Sequence, residues 1–272
     1  MNKIKLIVPF LKLLLSKPSL VLKSLFHTVN KEKARNIVRE KYGFINGLPQ
    51  INILDLFPGL NETVEPVTFL YGTSMPIDFV LLKSLAKQFN GNCDFFEIGT
   101  WRGESIAAVA PVCRSCTSLS LGDEDMKRIG WGGKFLEVQR FFSKGFINVA
   151  HINGNSQTFD FSKMNKRFDL IFVDGDHSYE GTKIDTGNVF KLLKDDNSII
   201  VWHDYAPTYE IIDWEVFAGI LDGTPTEYRK YLYHVSNTYC AIFTKKSYPV
   251  KPLDYPTVPD KKFTVTIKAE KL

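Results

Sequence analysis

Four polar segments carry side chains able to do chemistry: Glu97-Ile98-Gly99-Thr100-Trp101-Arg102-Gly103-Glu104-Ser105, Gly154-Asn155-Ser156-Gln157, Asp174-Gly175-Asp176-His177 and His203-Asp204. The first swings the chain through Gly99 and Gly103 into good helix-forming residues. Free backbone N–H groups and the positive end of a helix dipole then face whatever sits in the turn. A polar, often anionic ligand suits that turn, and the Glu97 carboxylate favours one that also carries a cationic amine or hydroxyls. The third and fourth segments concentrate carboxylates and imidazoles. His177 can accept a proton near neutral pH, whereas Asp176 needs burial or a metal-acidified hydroxyl to do so. Carboxylates and imidazoles are also donors to divalent ions: hard oxygens suit Mg²⁺, and an imidazole leans a set towards Mn²⁺, Fe²⁺ or Zn²⁺.

These segments need a scaffold that brings them to one edge. Each follows an apolar run of strand length: Phe95–Ile98, Asn148–Ile152, Asp169–Val173 and Ser198–Trp202, with a further strand over Thr117–Leu121. Between them the pattern predicts helices over Pro76–Ala86, Glu104–Pro111, Phe135–Phe142, Tyr179–Leu193 and Ile211–Leu221. Continuous apolar strands alternating with helices predict an α/β fold, a doubly wound, mostly parallel sheet covered on both faces. Tyr231–Val235 and Tyr239–Phe243, joined through Ser236-Asn237, predict an antiparallel edge. In such a sheet, ligands bind beyond the carboxyl ends of the strands. Asp123, placed after the Thr117–Leu121 strand and twenty residues beyond Gly103, stands where a carboxylate usually meets ribose hydroxyls.

From about Pro76 to Lys245 this order of features resembles the class I S-adenosylmethionine-dependent methyltransferases, and more narrowly the catechol-type and sugar O-methyltransferases that use a divalent metal. The resemblance implies a Rossmann-like sheet of seven strands and a methyltransferase domain over residues 76–246. It implies that Glu97 and the Gly99-Thr100-Trp101-Arg102-Gly103 turn take the methionine part of S-adenosylmethionine, with Ser105 on its carboxylate. Asp123 is then expected on the ribose, and Asn155, Ser156 and Gln157 at the adenine edge, with Asp174 bordering the cofactor. The metal-using members imply Mg²⁺ or Mn²⁺ on Asp174, His203 and Asp204, with His177 or Asp176 as the base. The implied reaction is methyl transfer to a hydroxyl of a small molecule or saccharide. Trp131, Trp202, Tyr205 and Trp214 are candidates to stack on an acceptor ring.

The rest of the sequence bounds that reading. A chain of 272 residues with 44% apolar residues suits one large α/β domain with appendages. A net charge of +4 is too small to imply nucleic acid. Cys93, Cys113, Cys116 and Cys240 do not make a disulfide framework, so a reducing, cytoplasmic setting is expected, and Cys113-x-x-Cys116 lacks a second ligand pair at zinc spacing. Residues 1–75 read as an N-terminal helical extension or cap, irregular from Glu32 to about Thr73, and residues 247–272 as a tail whose Phe263–Ile267 stretch alternates. Within the extension, residues 1–28 are leucine-rich and carry lysines but no acid. That is a helix packed on the protein or on a homodimer mate, or an interfacial anchor giving peripheral contact with an anionic membrane. A nicotinamide-dependent oxidoreductase shares such a sheet, but Trp101 stands where its second glycine is needed. A catalytically silent cofactor-binding module is the other rival, if His203 has replaced a needed metal ligand.

Overall fold

Four strands buried on both faces build the centre of the molecule: the largely apolar β2 (Asp94–Ile98), β5 (Leu170–Val173) and β6 (Ile199–Trp202), and β3 (Ser115–Ser120), rich in serine, once β1 (Gln50–Ile51) and β4 (Val149–Asn153) are counted in chain order. The computed structural model describes residues 4–272. The remaining strands are β7 (Leu232–Val235), β8 (Ala241–Phe243) and β9 (Val250–Lys251). The helices are α1 (Ile4–Ser16), α2 (Pro18–Tyr42), α3 (Ile53–Leu56), α4 (Pro76–Lys87), α5 (Glu104–Val109), α6 (Asp123–Arg128), α7 (Lys134–Glu137), α8 (Tyr179–Val189) and α9 (Trp214–Gly223).

All strands join one sheet in the order β4-β3-β2-β5-β6-β8-β7-β1-β9, with β8 and β9 antiparallel to their neighbours and the rest parallel. Side chains alternate between two cores because successive strand residues point to opposite faces. Phe96, Ile98, Ile171, Val173 and Ile200 pack under α8, α9 and the second half of α2. Phe95, Leu170, Phe172, Ile199 and Val201 pack under α4 and α5. Register then levels the strand ends. Ile98 pairs with Leu119 on one side and Val173 on the other, and Val173 with Trp202. The ladder runs one residue further, Gly99 N–H to Leu119 O at 2.9 Å, Asp174 N–H to Ile98 O at 2.9 Å and His203 N–H to Val173 O at 3.0 Å. Gly99, Asp174 and His203 therefore leave the sheet along one line.

The sheet has nine strands, not the expected seven. The seven are present as β2 to β8. The additional pair are two-residue strands from the terminal appendages: β1 pairs parallel to β7, and β9 antiparallel to β1. Two residues are too few for an alternation pattern to announce. Glu32–Tyr42, expected to be irregular, is the second half of α2, which closes at Gly43 in the left-handed conformation (φ 74°). Only Val21, Ala34 and Val38 of that helix are buried, too sparse a stripe to reveal it. The expected helix over Phe135–Phe142 is confined to α7, since Arg140 has φ 58° and breaks it. Phe263–Ile267 forms no strand, and Val265 and Ile267 are exposed.

Candidate active site

Gly99 sits at φ 95°, a region open to glycine and strained for other residues. A Cβ there would lie 1.9 Å from the Asp174 carbonyl oxygen and 2.8 Å from Gly175 Cα. The glycine is thus needed for the β2 turn to pass against the end of β5, before any ligand is considered. Gly103, at φ 79°, begins α5 with Ser143 Oγ filling the space where its Cβ would be, 2.3 Å away. Glu97 is fully buried behind this turn and accepts hydrogen bonds from Thr100 Oγ1 and Ser105 Oγ, both at 2.6 Å. Burial pushes its carboxyl up to about 7 against those two hydroxyls, helped by the nearby Asp174 charge. Trp101 is stacked on Phe135 with ring centres 6.0 Å apart, and the Arg102 guanidinium lies 4.4 Å over its ring.

Beside the turn, two carboxylates and two imidazoles interlock. His177 Nε2 lies 3.5 Å from Asp174 Oδ1, and His177 Nδ1 lies 3.0 Å from Asp204 Oδ2. His203 Nδ1 lies 3.1 Å from Asp174 Oδ1 and 3.3 Å from Asp204 Oδ1. Burial opposes charge on both rings, but the carboxylates outweigh it: His177 is pushed up to about 10 and His203 well above its ordinary value. Asp174 and Asp204 are held below the usual carboxylate range for the same reason, again against burial. Asp204 itself stands at φ 54°, a left-handed conformation that aims it back across the end of β6 towards His177.

Asp174, His177 and Asp204 each offer a ligand atom within 4.8 Å of the others, the spacing a single ion needs. The set expected from sequence had His203 in place of His177. His203 is buried, with its Nε2 side turned to Asp78 Oδ2 at 3.4 Å, so its ring is flanked by carboxylates on both edges and has no open side for an ion. His177 is half-exposed and spans the mouth between the two aspartates. Two carboxylates and an imidazole fit a borderline ion such as Mn²⁺ better than Mg²⁺.

Residues 96–205, which hold both clusters, match a family model described as a methyltransferase domain. The stretch that carries the glycine turn and the histidine–aspartate cluster is thus similar to a methyltransferase domain, over fewer than half of the 272 residues. No curated protein matches the sequence. Among solved structures, the N-methyltransferase NodS from Bradyrhizobium japonicum is similar at 16% identity over 61% of this chain and 92% of its own, with a TM-score of 0.40. An O-methyltransferase from Bacillus cereus, solved in complex with SAH, is similar at 16% identity over 70% of this chain and 85% of its own, with a TM-score of 0.41. An amino pentose methyltransferase from Micromonospora echinaspora is similar at 13% identity over 52% of this chain and 58% of its own, with a TM-score of 0.36.

Within the matched stretch, the side expected to take adenosine is built from three loops. Asp123 is exposed at the start of α6. Asn155 Oδ1 accepts the Gln157 N–H at 3.0 Å, and Gln157 Nε2 donates to Asp176 Oδ2 at 2.8 Å. Asp176 Oδ1 also accepts the Ser178 N–H at 2.9 Å, so this carboxylate ties the β4 loop to the start of α8 instead of turning to the histidine cluster. Trp202 and Tyr205 are core residues, Trp214 packs partly buried against the same core, and Trp131 is half-exposed beside Trp101.

Three residues of the neighbourhood escaped the sequence reading. Asp78 in α4 accepts the Met75 N–H at 3.1 Å and the Tyr239 N–H at 2.9 Å while facing His203. Its sequence context, a proline-led helix start, looked like ordinary capping. Arg140 joins the ends of β3 and β4, donating from Nη2 to Ser120 Oγ at 2.9 Å and Asn153 Oδ1 at 2.7 Å. Its left-handed backbone leaves no periodic trace. Asp185 lies fully buried in α8 beneath Gly175, and neither carboxylate oxygen has a well-formed hydrogen bond. Burial lifts its carboxyl to about 6, with the Ser156 hydroxyl nearby opposing the rise. The four cysteines, Cys93, Cys113, Cys116 and Cys240, are free and buried. Neighbouring thiols and burial push Cys93 and Cys113 far above the ordinary thiol range.

Proposed function

We propose that this domain transfers the methyl group of S-adenosylmethionine to a hydroxyl oxygen of a small molecule or saccharide. The observation that carries this reading is the Asp174–His177–Asp204 group standing level with the Gly99 turn at the carboxyl edge of the sheet. The sulfonium supplies an activated methyl group. The protein's part is to align the acceptor oxygen with the S–CH₃ bond and to take its proton. Glu97 receives the ammonium of the methionine moiety, Ser105 its carboxylate, Asp123 the ribose, and Asn155, Ser156 and Gln157 the adenine edge.

His177 is the base we favour, with Asp176 acting through loop position. An imidazolium cannot accept a proton, so His177 must shed the charge that its two carboxylates stabilise before it can act. A divalent ion held by Asp174 and Asp204 would supply charge for that purpose, leaving the His177 ring neutral and free to accept the proton, and would lower the pKa of the acceptor hydroxyl. A metal-independent reading draws support from His203, whose buried positive ring already balances Asp174 and Asp204. The two separate in one assay: methyl transfer from labelled S-adenosylmethionine to a hydroxylated acceptor panel, with and without EDTA. Loss of transfer in EDTA, restored by Mn²⁺, supports the metal-assisted form. Undiminished transfer supports the histidine form, and products methylated only at nitrogen or carbon would overturn the O-methyl reading.

A further inference from the structure

Leucines elsewhere in the molecule are largely buried, but those of the first two helices are not. Leu11, Leu15, Leu20, Leu22, Leu25 and Phe26 are all exposed, Leu15 at 83% and Phe26 at 66%. They are distributed around α1 and the first turns of α2 instead of forming one stripe, so no single groove could cover them. Lys12, Lys17 and Lys23 are interspersed and exposed, and the sequence has no acid before Glu32. Among the described residues, the first ion pairs to the body of the protein are His27 with Glu215 (3.7 Å) and Lys31 with Asp213 (3.2 Å).

Those contacts also orient the helices. Lys31 meets Asp213, the residue that caps the start of α9, while Lys41 and Tyr42 meet Asp222 near its end. Helices α2 and α9 therefore run side by side in the same direction. The start of α9 is tied to the segment after Asp204, with the Asp213 N–H donating to Tyr205 O at 2.9 Å. It thus lies at the carboxyl edge of the sheet, where the candidate site is. The part of α2 before His27 extends beyond α9 at that edge, by about 14 Å at the helical rise per residue, and α1 joins it there. A second apolar tip, Phe69-Leu70-Tyr71, shares the edge, with Tyr71 92% exposed and its carbonyl accepting from Arg102 Nη1 of the β2 turn at 3.0 Å.

We propose that α1 and the first third of α2 lie in the interface of an anionic lipid bilayer, holding the mouth of the methyltransferase site against the membrane surface. The chemistry selects lipid over protein. Apolar side chains on all sides, with lysines and no acids among them, suit a headgroup boundary in which leucines enter the acyl region and ammonium groups meet phosphates. A second copy of the chain would set these lysines against lysines. No helix among the described residues is long and apolar enough to cross a membrane, which leaves contact from one side. The inference does not depend on which acceptor is methylated.

The test uses the full chain with vesicles of phosphatidylcholine alone or with phosphatidylglycerol. Co-sedimentation is expected with the anionic vesicles, falling as salt is raised. Each lysine near the surface is worth roughly fivefold in partitioning, so Lys12→Gln, Lys17→Gln and Lys23→Gln together should weaken it roughly a hundredfold. Leu15→Ser with Phe26→Ser should weaken it too. The exposed lysines Lys163, Lys191 and Lys268, changed to Gln together as a control of equal charge, should leave it unchanged. All altered positions are exposed, and matched melting curves show that the fold is kept. Three results would overturn the proposal: no binding by the full chain, equal losses in the control, or a dimer that ignores vesicles and dissociates in the Leu15→Ser, Phe26→Ser variant.

Discussion

Asp185 shows what a single buried charge costs and how it can be read out. An acid raised by burial is protonated in the folded state over a pH range where the unfolded chain has already ionised. Stability is therefore fullest below the unfolded pKa and falls as pH rises towards the folded value of about 6. Asp185→Asn removes this penalty. Denaturant unfolding should find the variant more stable than the parent at pH 8, by about 3 kcal/mol at most, and nearly equal at pH 4. An unchanged difference across that range would mean Asp185 is paired in solution. Glu97 titrates higher still, at about 7, again through burial. A ligand ammonium beside it would favour the carboxylate, so binding S-adenosylmethionine at pH 6 should release a proton. Calorimetry in buffers of different ionisation enthalpy measures that release, and Glu97→Gln should abolish it. At this scale the sequence was most informative about residues at strand ends. Glu97, Asp174 and Asp204 are found where the strand pattern and motif order put them. Asp78, Arg140 and Asp185 were hidden because each reaches the site from a distant element, and nothing local distinguishes a capping, loop or helix residue that does so.

At the scale of elements, the glycine turn and the β5 end act as one piece. Gly99 is held by its approach to the Asp174–Gly175 backbone, so Gly99→Ala should fail by disturbing the sheet edge rather than by blocking a ligand alone. Positive φ and the clash together should cost about 2 kcal/mol or more, seen as a lowered melting temperature in the absence of any cofactor. A stable variant that merely binds cofactor poorly would show the turn to be adaptable. The histidine–aspartate cluster also spans elements, with β5, β6 and the start of α8 each contributing. Asp174→Asn should lower methyl transfer at least a hundredfold while the sheet survives, because the residue is partly exposed and its loss removes partners of both His177 and His203. The alternation of strand and helix was legible because buried parallel strands are continuous apolar runs. Helix α2 and the strands β1 and β9 were not. The helix buries a thin stripe, and two-residue strands are fixed by neighbours far away in the chain.

At the scale of the whole molecule, the appendages are stitched to the domain at its antiparallel end. Residues 50–51 and 250–251 extend the sheet, while α2 covers α9 and carries α1 towards the edge where the site opens. The sheet supplies a rigid line of strand ends, and the helices decide what that line faces. The family match over residues 96–205 covers fewer than half of the 272 residues and leaves the appendages outside it. The most direct measurement is titration of the purified full chain with S-adenosylmethionine, followed by mass spectrometry of a hydroxylated acceptor incubated with both. Micromolar binding that is lost in Glu97→Ala, with an oxygen-linked gain of one methyl group on the acceptor that is lost in Asp174→Asn, is the expected result. Binding of equal strength in the parent and Glu97→Ala, or methyl transfer untouched by Asp174→Asn, would contradict the assignment of this edge of the sheet as the active site.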